Sequence, residues 1–220
     1  MTTKNAVIIG ASAPDTVKLI HAINRSGNEE IVIEGFLDDD PAKHGTDFMG
    51  YPVLGPTRLL DGKLRDVYVI NNVARDTRTR QLVACRFASR RHLTLIHPTV
   101  DCTHSAIGIG CIIQEGVVLG ADTALGNHCV LYAGCVIGHE TAVGDLVFVA
   151  NKAIVGARTK VGSGVFVGLG SIILPYATVG AWATIGAGAV VIRNVDPGST
   201  VFGNPARAGV RPVRIAAEVS

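Results

Sequence analysis

The side chains able to do acid–base, nucleophilic or metal chemistry are few in this sequence of 220 residues: five cysteines, seven histidines and eighteen acids. The cysteines (Cys85, Cys102, Cys111, Cys129 and Cys135) are odd in number, form no CxxC and keep no regular spacing. A disulfide framework and a structural zinc site are thereby excluded. One histidine, His139, is followed directly by an acid, Glu140. Imidazole, with an unperturbed pKa of about 6.5, is matched to proton transfer at neutral pH, and a neighbouring carboxylate can orient the ring or stabilise its charged form. What such a pair does depends on the elements that hold it.

Lys and Arg number 20 against 18 Asp and Glu, so no basic surface points to nucleic acid or an anionic membrane. Residues 161–192 carry no charge and are long enough for a membrane helix, which needs about 20 residues. Small residues at fixed sixth positions and Pro175 at the middle argue instead for a soluble segment, and no membrane span is expected. The apolar run before Gly10 is too short for a signal peptide. Unpaired thiols and the lack of a leader imply the cytoplasm.

The chain changes character near residue 100. Residues 1–100 carry 24 of the 38 charged side chains and 7 glycines, whereas residues 101–220 carry 14 charges and 19 glycines. In the first part, strand-like runs at 6–10, 31–37, 67–70 and 93–96 alternate with helical stretches near 14–26 and 77–89, the pattern of a parallel α/β layer. In the second, every sixth residue from Ile107 to Val191 is Ile, Leu or Val, fifteen times in succession, and Gly follows in ten cases. Two positions before each aliphatic, from residue 111 onward, the side chain is Cys, Val, Thr, Ala or Ser. Period six describes a short strand and a tight turn, three per coil of a parallel β-helix. Fifteen hexads make five coils, a prism roughly 24 Å long at strand spacing. Cys111, Cys129 and Cys135 fall at the small inward position and act there as compact apolar groups. His139 and Glu140 stand between inward Ile137 and Val143 and must project outward.

On IIGAS at 8–12, GFLDDDPAKHG at 35–45, GYPVLG at 50–55, HPT at 97–99, VIGHETAVGD at 136–145 and VFGNPAR at 201–207, nearly the whole chain resembles the hexapeptide-repeat sugar acetyltransferases. That family includes sialic acid O-acetyltransferases and N-acetyltransferases of nucleotide-linked 4-amino sugars. The resemblance implies a Rossmann-like α/β domain at 1–100 that binds a nucleotide-sugar and a left-handed β-helix at 101–220. It implies a homotrimer with acetyl-CoA between adjacent prisms and no metal. The family's catalytic His and acid fall on His139 and Glu140. Coenzyme contacts are expected at Leu169 and Ala187, with Phe148 where some relatives place a second His, and Arg207, Arg211 and Arg214 near the phosphates. Substrate contacts are expected from the loop after the first strand (Gly10, Ala11, Ser12), where amides at a helix start can hold phosphate, and from Asp38 and Asp39 at the end of the second, where an acid can accept from hydroxyls. Where relatives continue the first turn as Gly-His-Gly, this chain has Ala13, Pro14 and Asp15, and the relatives' Asn-Thr before the catalytic segment is Tyr132-Ala133.

The expected activity is acetyl transfer from acetyl-CoA to the amine of a nucleotide-linked amino sugar, in surface glycan synthesis. O-acetylation of a sugar hydroxyl is the alternative, followed by a non-catalytic binding protein and a zinc hydro-lyase. The last needs three His on one edge of neighbouring coils. His104, His128 and His139 are separated by 24 and 11 residues, neither near the 18 of one coil.

Overall fold

The computed structural model describes residues 3–209 except 28, 63, 65, 74 and 75, so Arg211 and Arg214 lie outside the described residues. The first part is a five-stranded sheet of β1 (Thr3–Ile9), β2 (Glu30–Leu37), β3 (Asp47–Phe48), β4 (Tyr51–Gly55) and β5 (Tyr68–Asn71) in the order β3-β4-β2-β1-β5. Two helices, α1 (Asp15–Ser26) and α2 (Thr77–Arg86), accompany it. β1 runs parallel to both its neighbours and its residues 6–9 are all buried, as expected of a sheet covered on both faces. The hairpin of β3 and β4 has no counterpart in the apolar pattern, because Gly50, Pro52 and Gly55 interrupt it; Asp47 pairs antiparallel with Pro52 at this edge.

From Ala106 to Val191 the chain forms fifteen two-residue strands, and each aliphatic of the six-residue count is the second residue of its strand. Within this run each strand pairs in parallel with the one eighteen residues on, as Val130 with Phe148 and Val136 with Ile154, until Thr184, which pairs sixteen residues on with Thr200. The result is a three-faced left-handed β-helix following the α/β layer. Face one stacks 112–113, 130–131, 148–149, 166–167 and 184–185; it begins one rung earlier with β6 (Leu95–Ile96) and ends with the hairpin of Thr200–Phe202 and Arg207–Ala208. Face two begins at Val118–Leu119 and face three at Ala106–Ile107. The inward aliphatics from Leu125 to Val191 are at most 5% exposed, each gaining roughly 1.5–3 kcal/mol from burial, most of it offset by chain ordering. Ile107 and Leu119 are only half-buried because no strand stacks above them on their faces. Cys111, Cys129 and Cys135 line the interior at 0% exposure, as their spacing requires. The uncharged stretch 161–192 is prism, and no helix among the described residues is long and apolar enough to cross a membrane.

The α/β layer sits on face one. Outward Ile112, Val130 and Phe148 share a core with Leu19, Ile20, Ile23 and Ile70. The segment running into β6 is the seam: Leu93 N–H donates to Val69 O in the α/β sheet, and Leu95 N–H, at the start of β6, donates to Cys111 O in the prism. A second tie is Arg80 of α2, 1% exposed, whose guanidinium donates to Leu146 O at 2.5 Å and Val73 O at 3.3 Å. Burial pushes its pKa down to about 10, which still leaves it charged at neutral pH.

Candidate active site

Each coil has three corners, and their chemistry differs. His139 and Glu140 occupy the corner between faces two and three, in the turn joining Val136–Ile137 to Ala142–Val143. Glu140 has φ 56°, a left-handed conformation repeated eighteen residues apart at Asp122, Arg158 and Tyr176. The coil above holds the turn closely: Glu140 N–H donates to Ala121 O at 2.9 Å. The His139 and Glu140 side chains are 53% and 46% exposed, so both project outward as their place in the hexad requires. His139 Nδ1 lies 3.1 Å from Glu140 Oε1, which leaves Nε2 to face solvent or a substrate. Arg158, one coil below, donates from Nε and Nη2 to the two oxygens of Glu140, both at 2.9 Å. These bonds foremost, and that from His139, outweigh desolvation and hold the Glu140 carboxyl below its usual range, ionised wherever an imidazole can act as base.

Gly120 lies directly above His139. A Cβ there would meet the His139 backbone, with Cα only 2.7 Å away, and backbone cannot yield as a flexible side chain can. Gly120→Ala is therefore expected to displace the imidazole and lower kcat about tenfold to a hundredfold. Gly62, where an added Cβ would meet no atom within 4 Å among the described residues beyond its chain neighbours, supplies the control: Gly62→Ala should leave the rate unchanged in the same steady-state assay.

A cleft of about 730 Å³ opens between the α/β layer and the corner joining faces one and two. Gly10, Ser12, Asp38 and Asp39 line it, together with Asp15, Thr57, Asp76, Thr79, Tyr132 and Asn151. A smaller cavity of about 170 Å³ continues it past Asp15 and Asn151 to His97, Gln114 and Ala133. Most of the loop's polar groups are spoken for within the chain. Gly10 N–H donates to Leu37 O, and Ala11 N–H to Asp38 Oδ2. Burial opposes ionisation of Asp38, but bonds from Lys43 and from the Asp40 and Ala11 amides prevail and lower its pKa. Asp39 accepts from the amide and hydroxyl of Thr57. Buried Asn72 holds the 10–13 loop by donating to Gly10 O and Ala13 O and accepting from Thr16.

The expected coenzyme positions divide. Leu169 and Ala187 are exposed and stand one and two coils below Asn151, on the same corner as the cleft. Phe148 does not join them. It is 2% exposed, stacked on Phe166 at 5.0 Å beneath the α/β layer, and presents no surface to a coenzyme in this chain. Arg207 lies exposed in the terminal hairpin. Cys135 is walled inside the prism, where burial pushes its thiol up to about 12, far from a thiolate nucleophile. His128 packs edge-on against His92 at 4.8 Å, away from His139, and no cluster of three His, Cys, Asp or Glu able to hold a metal occurs among the described residues.

Three residues escape a reading by motif. Arg158 and Tyr176 bear on the dyad from other coils, and stepping by eighteen from Glu140 would have found both. Asn72 is the third; its only signal is its place as the second of two asparagines after the apolar run at 67–70.

No family model and no curated protein sequence matches the chain. Solved structures do. The perosamine N-acetyltransferase of Caulobacter crescentus, solved with CoA and GDP-perosamine, is 25% identical over 94% of this chain and 97% of its own, with TM-score 0.81. The acetyltransferase domain of PglB from Neisseria gonorrhoeae is 27% identical over 94% and 100%, also with TM-score 0.81. WeeI from Acinetobacter baumannii, at 23% identity and TM-score 0.80, shares the fold. Across nearly its whole length, then, this chain carries the architecture of sugar acetyltransferases of the hexapeptide-repeat type.

Proposed function

We propose that this protein transfers acetyl from acetyl-CoA to the amine of a nucleotide-linked amino sugar, as a homotrimer in the cytoplasm, for surface glycan synthesis. Residues 1–100 hold the nucleotide-sugar and residues 101–220 carry the transfer. The observation that carries this is the placement of the two half-sites. The His139 dyad and the cleft stand on different corners of one chain, at either end of face two. Face two presents an outward column of Val118, Val136, Ile154, Ile172 and Val190. Three copies with face two turned to a common axis bring the His139 corner of one against the cleft corner of the next. His139 then meets the level of Ala133 and Asn151, while Leu169 and Ala187 continue the groove for the coenzyme. Free thiols, three of them sealed in the prism, agree with a reducing compartment.

In the reaction the neutral sugar amine attacks the thioester carbonyl and a C–N bond forms. His139 Nε2 takes the proton of that nitrogen, the C–S bond breaks, and the proton passes to the departing thiolate. Glu140 keeps the Nδ1 proton in place and offsets the imidazolium charge. Gly10 and Ser12, with Asp38 and Asp39, form the wall for the nucleotide, while Ala11, expected there from the sequence, is buried behind it with its amide bonded to Asp38. Thiol release from acetyl-CoA, followed with a panel of nucleotide-linked amino sugars and their hydroxyl counterparts, tests the assignment. Turnover is expected with an amino sugar; turnover with hydroxyl acceptors alone would make the protein an O-acetyltransferase. Binding without turnover would make it a binding protein.

A further inference from the structure

Glu140 heads a column and does not merely end a pair. Directly below it Arg158 spans both carboxylate oxygens, and Arg158 Nη1 donates in turn to the Tyr176 hydroxyl at 2.9 Å, one coil further down. All three residues take the left-handed turn conformation, with φ 56°, 56° and 66°, so their side chains leave the corner in register. The backbone follows the same line: Arg158 N–H donates to His139 O at 2.9 Å, and Tyr176 N–H to Ala157 O at 3.0 Å. Arg158 thus grips the base twice, by its carbonyl and through its acid.

We infer that Arg158 is a positioning residue for His139, acting through Glu140, and that Tyr176 sets the plane of the guanidinium. The inference rests on His139 being the base of the proposed transfer. A carboxylate free to rotate about its last torsions offers the imidazole a scattered set of acceptors. One clamped by two parallel N–H donors offers Oε1 at a single place. Clamped, it selects the tautomer with the proton on Nδ1 and leaves Nε2 unprotonated toward the acceptor amine. A lysine could supply the charge but not the fork.

The test uses the full chain, with nitrogen-15 shifts of the His139 ring to report which nitrogen carries the proton and steady-state kinetics beside them. In the wild type, neutral His139 should carry its proton on Nδ1. In Arg158→Met the two tautomers should mix and kcat should fall about tenfold to a hundredfold, with KM unchanged, the range usual when the partner of an active ring is lost. Arg158→Lys should restore part of the rate while the tautomers stay mixed. Tyr176→Phe, which leaves every charge and the backbone in place, should cost less than about tenfold and guards against a folding defect in the first variant. A wild-type ring protonated on Nε2, or an Arg158→Met protein with wild-type tautomer and kcat, would overturn the inference. Tautomers that respond to Arg158 in a protein unable to transfer acetyl to any acceptor would leave the positioning role standing and remove the reaction.

Discussion

His139→Asn should lower kcat by about 10² to 10⁴, the usual worth of a positioned general base, and leave KM for acetyl-CoA and the acceptor nearly unchanged. Asparagine keeps a polar group of similar reach but cannot take a proton. The fold should tolerate the change, because the side chain is half exposed and its polar contact is to Glu140 rather than to the core. Glu140→Gln should cost less. It keeps the shape, loses the charge that favours imidazolium, and leaves Arg158 facing a neutral amide. Wild-type turnover in His139→Asn would remove the base, and with it the reason for thinking the corner between faces two and three catalytic. Equal loss in both variants would mean that the pair acts as a unit.

The prism was legible in the sequence because its physics repeats. A side chain that must point inward every sixth residue leaves the same mark fifteen times, and the register of those fifteen strands follows from eighteen-residue coils; the end rungs at Leu95 and Thr200 depart from it. Outward positions carry no such mark. The hexad puts Phe148 and Ile172 equally outside, yet one is sealed beneath the α/β layer and the other is 36% exposed on a bare face, since what covers a face is decided by distant residues. The same limit hid Arg158. Its bond to Glu140 spans one full coil, so no local motif joins them, whereas His139 and Glu140 are neighbours in the chain. In the α/β layer, β1, β2, β5 and both helices follow from apolar alternation. The β3–β4 hairpin does not, because at a sheet edge proline and glycine cost little and break the pattern by which strands are recognised.

In the homotrimer proposed above, Ile172→Glu should give monomers and abolish acetyl transfer, although it touches neither the dyad nor the cleft. The three outward columns make the case. On face one, Ile112, Val130 and Phe148 are large and covered by the chain itself. On face three, Ala106, Ala124, Ala142, Lys160 and Thr178 are small or polar and need no cover. On face two the column is β-branched and aliphatic throughout, with Val118 at 54%, Ile154 at 40% and Ile172 at 36% exposure, beside Leu174 and Ile192 at 41% each. An apolar stripe of this length on a single chain is the surface the proposed trimer would cover. Covering each exposed isoleucine should be worth roughly 1–2 kcal/mol, while a carboxylate forced into the same place loses that gain and adds a desolvation cost of several kcal/mol. Sedimentation should therefore show a folded monomer, and Thr178→Glu on face three should remain assembled at full rate. If the monomer were active, the cleft and His139 of one chain would suffice for each other, and the site shared between copies would be wrong. If Ile172→Glu stayed assembled, face two would not be the surface that joins them.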